Sequence, residues 1–423
     1  MRRVCGSEQE LAWFGRHGLD RGAAVSLASM RRRAGRYGCF AATVCLAVAA
    51  VVPIVVAQPI RSVDGAAITD YLEQVRHATG APGITAAVAI DGEVVYSGGV
   101  GYGELDNRTP ADGATVLNAG SISKVMTAVA VMQLVERNSV RLDQSIRQFV
   151  PSFPDKQVNL TLQHILTHTS GIRHYREGEF GPYGLTEMRR FDSIDEAIAI
   201  FKDDPLLFPP GRFWSYSSHA FNLLQGVVER ASGTGFETYM RTRIWEPAGM
   251  LSTSFDVPER IVHRRGRGYD RDEDGRLVNS RYVDVSYKYA SGGMLTTVQD
   301  LVRFGMALND GTLLEPATLA RMYAVAVDPV LIFSPNGDPQ PGGFRQAIGW
   351  RLDRDVQGRT YISHTGTVRG TRSVLINYPE HGLVVALQAN SLPFDSQVHG
   401  QAIAQMFLPP AHGTSAASGG ARR

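Results

Sequence analysis

Gly120-Ser121-Ile122-Ser123-Lys124 is the most informative run of residues in this sequence. An apolar pattern at helical spacing follows it as far as residue 137, which predicts a helix that begins at Ser121. Residues three apart share a helix face, so the Lys124 amine can reach the Ser121 hydroxyl. A hydroxyl is a weak nucleophile that needs such a neighbour, and N–H groups at a helix N-terminus can hold a developing oxyanion. Taken alone, the same residues also fit a serine N-cap followed by an exposed lysine.

Strand patterns lie at both ends of the chain, and helical patterns lie between them. The β-rich runs, bounded by turn residues such as Asp91-Gly92, are 84–90, 93–96, 361–363, 373–377 and 383–388. The helical patterns are 66–79, 121–137, much of 140–310 and about 401–407. We therefore predict an α/β (α+β) fold: one antiparallel sheet made by the terminal segments and flanked by terminal helices, with an inserted helical lobe. A site is expected in the cleft between sheet and lobe.

The composition is that of a globular protein with a basic N-terminus. The chain has 423 residues, of which 43% are hydrophobic and 20% are charged, and its net charge is +2. Residues 1–57 contain eight arginines and only three acidic residues, so the remainder is slightly negative. A remainder so close to neutral lacks the electrostatic footprint of a nucleic-acid-binding protein, and we expect no nucleic-acid partner.

The N-terminal segment has the pattern of an export signal. A cluster of arginines at 31–36 precedes the apolar stretch 39–57, which predicts either a cleaved signal peptide or a single membrane anchor. A buried core helix is the alternative, and Met30 offers a second start for the signal. The three cysteines (Cys5, Cys39 and Cys45) lie within residues 1–57, so a mature chain from residue 58 has no thiol. We divide the chain into the signal or anchor 1–57, a linker 58–65, one domain 66–408 and a disordered tail 409–423.

Two further motifs carry candidate chemistry. Residues 213–218 read Phe-Trp-Ser-Tyr-Ser-Ser, and a tyrosine near an ammonium group, here Tyr216, can act as a general base. Residues 364–367 read His-Thr-Gly-Thr in a strand region, where a glycine permits close approach of a substrate backbone. His364 and Thr365 can donate hydrogen bonds to a substrate carboxylate. In isolation, each motif also fits a packing corner or an ordinary strand.

Together and in this order, the three motifs resemble the class C β-lactamase and D-alanyl-D-alanine carboxypeptidase group, with its esterase relatives and its penicillin-binding-protein fold. The family elements S-x-x-K, Y-x-N or Y-x-S, and K/H-T-G correspond to Ser121/Lys124, Tyr216/Ser218 and the run beginning at His364. The resemblance covers residues 66–408 and includes 166–172, 291–294 and Gly349-Trp350. Within the group, the chain is most similar to mitochondrial serine β-lactamase-like proteins and their bacterial relatives.

The resemblance implies an acyl-enzyme mechanism. Ser121 attacks a carbonyl, Lys124 and Tyr216 share the base role, and the N–H groups of Ser121 and Thr367 form the oxyanion hole. Which of the two bases takes the proton stays open. The implied site also contains the substrate-binding residues Ser218, His364, Thr365 and Gly366.

Two departures from the lactamase pattern bear on the substrate. Ser218 replaces the usual Asn, and His364 replaces the usual Lys. Both changes favour a peptidase or esterase over a penicillin hydrolase, acting on a small-molecule, peptide or ester substrate.

Other functions fit less well. Residues 270–275 imitate a calcium loop, but Arg281 stands at its twelfth position, so a charged hairpin tip is favoured. His164 and His168 stand four residues apart on a predicted helix but lack the Glu of a zinc protease, so His168 is expected to cap the catalytic helix or pack beside it. The glycines at 99–103 complete no dinucleotide fingerprint. We therefore expect no metal and no cofactor. A true β-lactamase or D-Ala-D-Ala carboxypeptidase, and a non-catalytic peptide- or lipid-binding or self-assembling scaffold, remain as alternatives. The sequence does not indicate the oligomeric state, and residues 175–191 are expected to influence specificity.

Overall fold

The computed structural model describes residues 61–176, 179, 188–328, 331–334 and 338–409. The predicted export segment 31–57 and nearly all of the predicted tail lie outside these residues, as does most of 175–191. No helix in the described part of the chain is long and apolar enough to cross a membrane.

The longest strands lie in the main sheet, and its strands towards the two edges are short. In chain order they are β1 (Gly83–Ile90), β2 (Glu93–Glu104), β3 (Thr109–Pro110), β4 (Leu117–Asn118), β5 (Ser254–Phe255), β6 (Tyr269–Arg271), β7 (Leu277–Asn279), β8 (Met294–Thr296), β9 (Leu331–Phe333), β10 (Pro339–Pro341), β11 (Arg345–Gln346), β12 (Arg351–Arg354), β13 (Thr360–Val368), β14 (Thr371–Tyr378) and β15 (Leu383–Ala389). The main sheet has the spatial order β11-β12-β13-β14-β15-β1-β2-β3, and its pairings are antiparallel.

The helices flank this sheet and fill the lobe. They are α1 (Gly65–Thr79), α2 (Ile122–Glu136), α3 (Leu162–Leu166), α4 (Ile194–Ile198), α5 (Ser218–Ser232), α6 (Phe236–Met240), α7 (Tyr289–Gly292), α8 (Val298–Asn309), α9 (Pro316–Tyr323) and α10 (Ser396–Phe407). A π-helical turn, Arg241–Trp245, continues α6.

The sheet joins the two ends of the domain, as the sequence predicts. β1 is almost wholly buried and pairs with β2 on one side and β15 on the other, from Ile84↔Ala389 to Ile90↔Leu383. Asp91 and Gly92 both have positive φ, which suits the tight hairpin turn between β1 and β2. One face of the sheet packs against α1 and α10, and the other packs against α2 and α8. Apolar burial on both faces fixes the register of the central strands.

α2 runs through the centre of the second core. Its residues from Ile122 to Leu134 are all buried, because α5, α7, β13 and the π-helical turn after α6 surround it. A helix that is buried on every side and mostly apolar is stable only inside a protein. α2 is therefore a rigid element on which reactive groups at its N-terminus can be positioned.

The structure differs from two local sequence predictions and agrees with a third. α10 begins at Ser396 rather than near residue 401, because the Asp395 side chain caps it by accepting from the Val398 N–H. His164 and His168 do not share a helix, since α3 ends at Leu166 and His168 has a φ of 57°. Residues 272–276 form the turn between β6 and β7, as the charged-hairpin interpretation predicts.

Candidate active site

Ser121 and Lys124 lie together at the N-terminus of α2. Ser121 is partly exposed and occupies the N-cap position, yet its side chain makes no capping hydrogen bond. The buried Lys124 Nζ instead lies 3.0 Å from Ser121 Oγ. The simple N-cap alternative therefore does not describe this serine, whose hydroxyl is directed to the amine.

Two further acceptors hold the Lys124 amine. Its Nζ donates to Ser218 Oγ at 2.9 Å and to the carbonyl oxygen of Ser291 at 2.7 Å. Burial, and after it the positive charge of Lys288, holds the pKa of Lys124 well below the ordinary value. A neutral amine makes at most two N–H donations and has a lone pair for the Ser121 proton.

Tyr216 and Ser218 are placed by the start of α5. The intervening Ser217 caps that helix by accepting from the Ala220 N–H, and its hydroxyl donates to the carbonyl oxygen of Arg173. The Ser218 N–H donates to His174 Nδ1 at 3.2 Å. The Ser215 N–H donates to the carbonyl oxygen of His168 at 2.9 Å, so the chain is held on both sides of Tyr216 and its ring has a defined place beside the amine.

The Tyr216 ring lines the site. Lys124 Nζ is 4.9 Å from the ring centroid, within cation–π distance. The ring packs on His168 at 4.4 Å between centroids and makes an edge contact with His174 at 5.3 Å. His168 therefore has a packing role beside the Tyr216 ring.

β13 approaches the start of α2 closely because glycine occupies two positions. A Cβ on Gly366 would lie 2.0 Å from the carbonyl oxygen of Ala119, and one on Gly120 would lie 2.5 Å from the Thr367 nitrogen. A larger residue at either position would push the strand away. The contact brings the Thr367 and Ser121 peptide N–H groups to the same end of the cleft.

One edge of β13 is open at the site. β12 pairs with residues 360–363 only, while β14 pairs with 362–368 on the other side. Within the described residues, no strand covers His364 to Val368 on the β12 side. An extended substrate backbone can pair there. Thr365 and Thr367 are partly exposed at this edge.

His364 is buried and neutral. Its Nδ1–H donates to the carbonyl oxygen of Thr365 at 2.6 Å. Burial, followed by the charge of Lys124, lowers the pKa of His364 to about 3. The neutral ring therefore presents an acceptor at Nε2, and it can donate to a carboxylate from that atom only after protonation.

Sequence analysis missed Lys288 as a member of the site, and it included Tyr175 only as the first residue of the segment 175–191. Burial raises the pKa of Tyr175 to about 12, although the nearby side chains of Ser218 and Ser291 act to lower it. Lys288 is 8% exposed, and its Nζ lies 6.0 Å from the Tyr175 ring centroid. Lys288 belongs to no motif, and the nearby Ser-Gly-Gly-Met run at 291–294 marks this wall in the sequence.

The sheet with its inserted lobe, and a serine–lysine pair at their junction, define the β-lactamase/transpeptidase-like class of serine hydrolases. A family model described as Beta-lactamase matches residues 68–406. The chain belongs to the beta-lactamase family.

Individual relatives support this assignment. The human serine beta-lactamase-like protein LACTB, mitochondrial, is 30% identical over 397 residues, covering 74% of this chain and 71% of the relative. Esterase EstB of Burkholderia gladioli is 29% identical over 269 residues, covering 56% and 68%. The structure of the octameric penicillin-binding protein homologue from Pyrococcus abyssi matches with a TM-score of 0.70 at 27% identity, covering 81% and 77%.

Proposed function

We propose that this protein is an exported serine hydrolase that forms an acyl-enzyme on Ser121 and cleaves peptide or ester bonds. The observation that carries the proposal is the position of the Lys124 amine, buried and 3.0 Å from the Ser121 hydroxyl. An amine in this setting has a depressed pKa and can remove the hydroxyl proton near neutral pH.

The proposed reaction has two halves. Ser121 Oγ bonds to the substrate carbonyl carbon while its proton passes to Lys124 Nζ. The oxyanion is held by the N–H groups of Ser121 and Thr367. The intermediate then expels the leaving group, which takes up the proton from Lys124 with Tyr216 as the second proton carrier. Water attacks the acyl-enzyme in the same way and regenerates Ser121.

Peptide or ester bonds are favoured over penicillins for a structural reason. Ser218 Oγ is occupied by Lys124 and the Ser218 N–H by His174, so this position offers no amide to hold an acylamide side chain. His364 carries no charge where the lactamases of the resembling group have a lysine ammonium. One relative that contains the matching domain is named an esterase.

Export is proposed from the sequence of residues 31–57, a basic cluster followed by an apolar stretch. The proposed site of action is periplasmic or extracellular, with or without anchoring to a membrane through 39–57. The proposed partners are small-molecule, peptide or ester substrates.

Labelling with a fluorophosphonate tests the nucleophile. The purified full chain should gain one adduct by intact mass, while Ser121→Ala should gain none, because only an activated serine reacts. A panel with an ester, a peptide and nitrocefin then ranks the substrates, and we expect slow or no nitrocefin turnover. A folded wild type that stays unlabelled would contradict the proposal and favour a non-catalytic scaffold.

A further inference from the structure

Glu179 carries a carboxylate that the proposed reaction does not use, although it lies close to the active site. Its side chain is 18% exposed and contacts Arg173 twice, with Oε1 at 2.7 Å from Nη2 and Oε2 at 3.1 Å from Nη1. This parallel, two-point geometry makes an arginine–carboxylate pair both strong and directional. The same Oε2 atom lies 3.4 Å from His219 Nε2. One carboxylate therefore joins the segment after α3 to the start of α5.

Arg173 is the buried cation of this network. Its side chain is only 5% exposed, and each of its N–H groups faces an acceptor. Besides Glu179, the acceptors are Asp204 Oδ2 at 2.7 Å from Nε, the carbonyl oxygen of His174 at 2.9 Å from Nη1 and that of Ile200 at 3.2 Å from Nη2. A buried guanidinium whose five donors are all satisfied is held in one orientation. Arg173 is therefore a fixed point for the backbone around it.

Glu179 is ionised and His219 is neutral near neutral pH. Burial acts to raise the pKa of Glu179, but hydrogen bonds from His219 and Arg173 outweigh it and lower the pKa to about 2. Burial holds the pKa of His219 below its ordinary value, so the Nε2 atom that faces the carboxylate carries the hydrogen of a neutral ring. Phe201 stacks on this ring with 4.5 Å between centroids, which fixes its plane.

The two partners of Glu179 lie on either side of Ser218. His219 follows Ser218 directly in α5. The carbonyl oxygen of Arg173 accepts from Ser217 Oγ at 2.8 Å, and the ring of the residue after Arg173 accepts from the Ser218 N–H at 3.2 Å. Ser218 is thus held between two groups that the Glu179 carboxylate joins.

The position of Ser218 bears on the direction of the Lys124 lone pair. Ser218 Oγ and the carbonyl oxygen of Ser291 accept from Lys124 Nζ at 2.9 and 2.7 Å. In the neutral amine these two acceptors use both N–H groups, which leaves the lone pair facing Ser121 Oγ at 3.0 Å. An amine without the Ser218 acceptor is free to turn, and its lone pair then no longer faces the hydroxyl.

We propose that Glu179 is a positioning residue of the active site, which holds Ser218 in place on the Lys124 amine. It acts through its contacts with Arg173 and His219, and the inference rests on the proposed acyl-enzyme function. These contacts involve no reacting atom, so we expect an effect on the rate of the chemical step rather than on substrate binding. The open edge of β13 and the oxyanion N–H groups, where the substrate is expected to bind, lie outside this network.

The test follows fluorophosphonate labelling of the full-length chain at several concentrations, which separates the maximal rate constant from the half-saturating concentration. Glu179→Gln keeps the shape of the side chain and one acceptor oxygen but removes the charge. We expect the maximal rate to fall about tenfold or more, because a small displacement of a catalytic group is costly. The half-saturating concentration should stay within about twofold of the wild-type value, because the binding contacts are kept. A variant that labels at the wild-type rate would overturn the proposal.

A double-mutant cycle with Ser218→Ala shows whether Glu179 acts through Ser218. If it does, Glu179→Gln should slow labelling by less than about twofold once residue 218 is already alanine, since the group that it positions is absent. A purely structural carboxylate would slow labelling by the same factor in both backgrounds, and that result would contradict the proposal. A Ser218→Ala variant as fast as the wild type would contradict it as well.

Glu246→Gln is the matched control. Glu246 also pairs with an arginine, Arg241, but it is half exposed and lies at the end of the π-helical turn after α6. Its labelling rate should equal that of the wild type, and a control as slow as Glu179→Gln would reject the proposal. Each variant is measured below the onset of its thermal unfolding, so that only folded protein is compared. An unlabelled wild type rejects the hydrolase itself, whereas a labelled wild type with an unaffected Glu179→Gln variant rejects the positioning role alone.

Discussion

The chemistry of the site depends on the charge of one amine. Lys124 is charged or neutral according to its burial and to the positive charge of Lys288. Removal of one cation from a buried pair raises the pKa of the other. The base strength of Lys124 is thus set partly by a residue from outside the motifs.

Lys288→Met should therefore shift the acidic limb of the pH profile. A higher pKa of Lys124 leaves less neutral amine at a given pH, so the limb should move to higher pH, by about half a unit or more. The aromatic rings of Tyr175 and Tyr287 lie against the Lys288 amine, and both rings remain in the variant. The pH dependence of the fluorophosphonate labelling rate measures the shift.

Lys202→Met serves as the control, since Lys202 lies shortly after α4 and has no described contact with the site. The explanation of the Lys124 pKa would be wrong if both variants kept the wild-type midpoint. A drop in labelling rate without a change in midpoint would also count against it.

Among the secondary-structure elements, the spacing between β13 and α2 is set by Gly366. Gly366→Ala should lower the labelling rate by about a hundredfold or more, because the added methyl group must displace the strand that carries the Thr367 N–H. Thermal unfolding, measured in parallel, separates a local displacement from global unfolding.

Gly235→Ala offers a matched comparison. Gly235 has a negative φ of −57°, and a Cβ there would meet nothing within 4 Å, so neither labelling nor stability should change much. A Gly366→Ala variant that reacts like wild type would show that the close contact is not needed.

The sequence predicted most of the framework and part of the site. The β1–β2 hairpin, the helix from Ser121 and the strands of the C-terminal half follow from local patterns, because turn residues and apolar periodicity are local signals. The start of α10 was predicted too late, because it depends on the cap at Asp395, which lies before the apolar pattern.

The remaining site residues could not be predicted for a physical reason. The Ser291 carbonyl and the Tyr175 hydroxyl join the site only through tertiary packing, and a backbone carbonyl has no side-chain signature at all. The neutral state of His364 follows first from burial and then from the neighbouring charge of Lys124, both of which lower its pKa. Such facts exist only once the chain has folded.

At the scale of the whole domain, its first and last described segments lie next to each other. The Arg61 N–H donates to the carbonyl oxygen of Phe407 at 2.9 Å, so the first and last described segments are neighbours. Proximity of termini is what permits circular permutation.

A permutant that joins residue 409 to residue 61 through a short Gly/Ser linker should fold. Its new ends would lie between Asp274 and Gly275, at the exposed turn between β6 and β7. We expect a near-wild-type circular dichroism spectrum and a labelled Ser121, because no core contact is broken. A permutant opened inside β1 should fail, and failure of both would show that the order of the chain matters more than the proximity of its ends.

The pairing of β1 with β15 also bears on how the chain is made. Ile84 and Ala389 are neighbours in the sheet but about 300 residues apart along the chain. At about 5–20 residues per second, a ribosome needs roughly 15–60 seconds to cover that distance. Throughout that interval β1 lacks its partner strand β15. The mostly apolar helix α2 also lacks several of the elements that bury it in the folded protein. The nascent polypeptide is therefore exposed to aggregation until its last strands emerge.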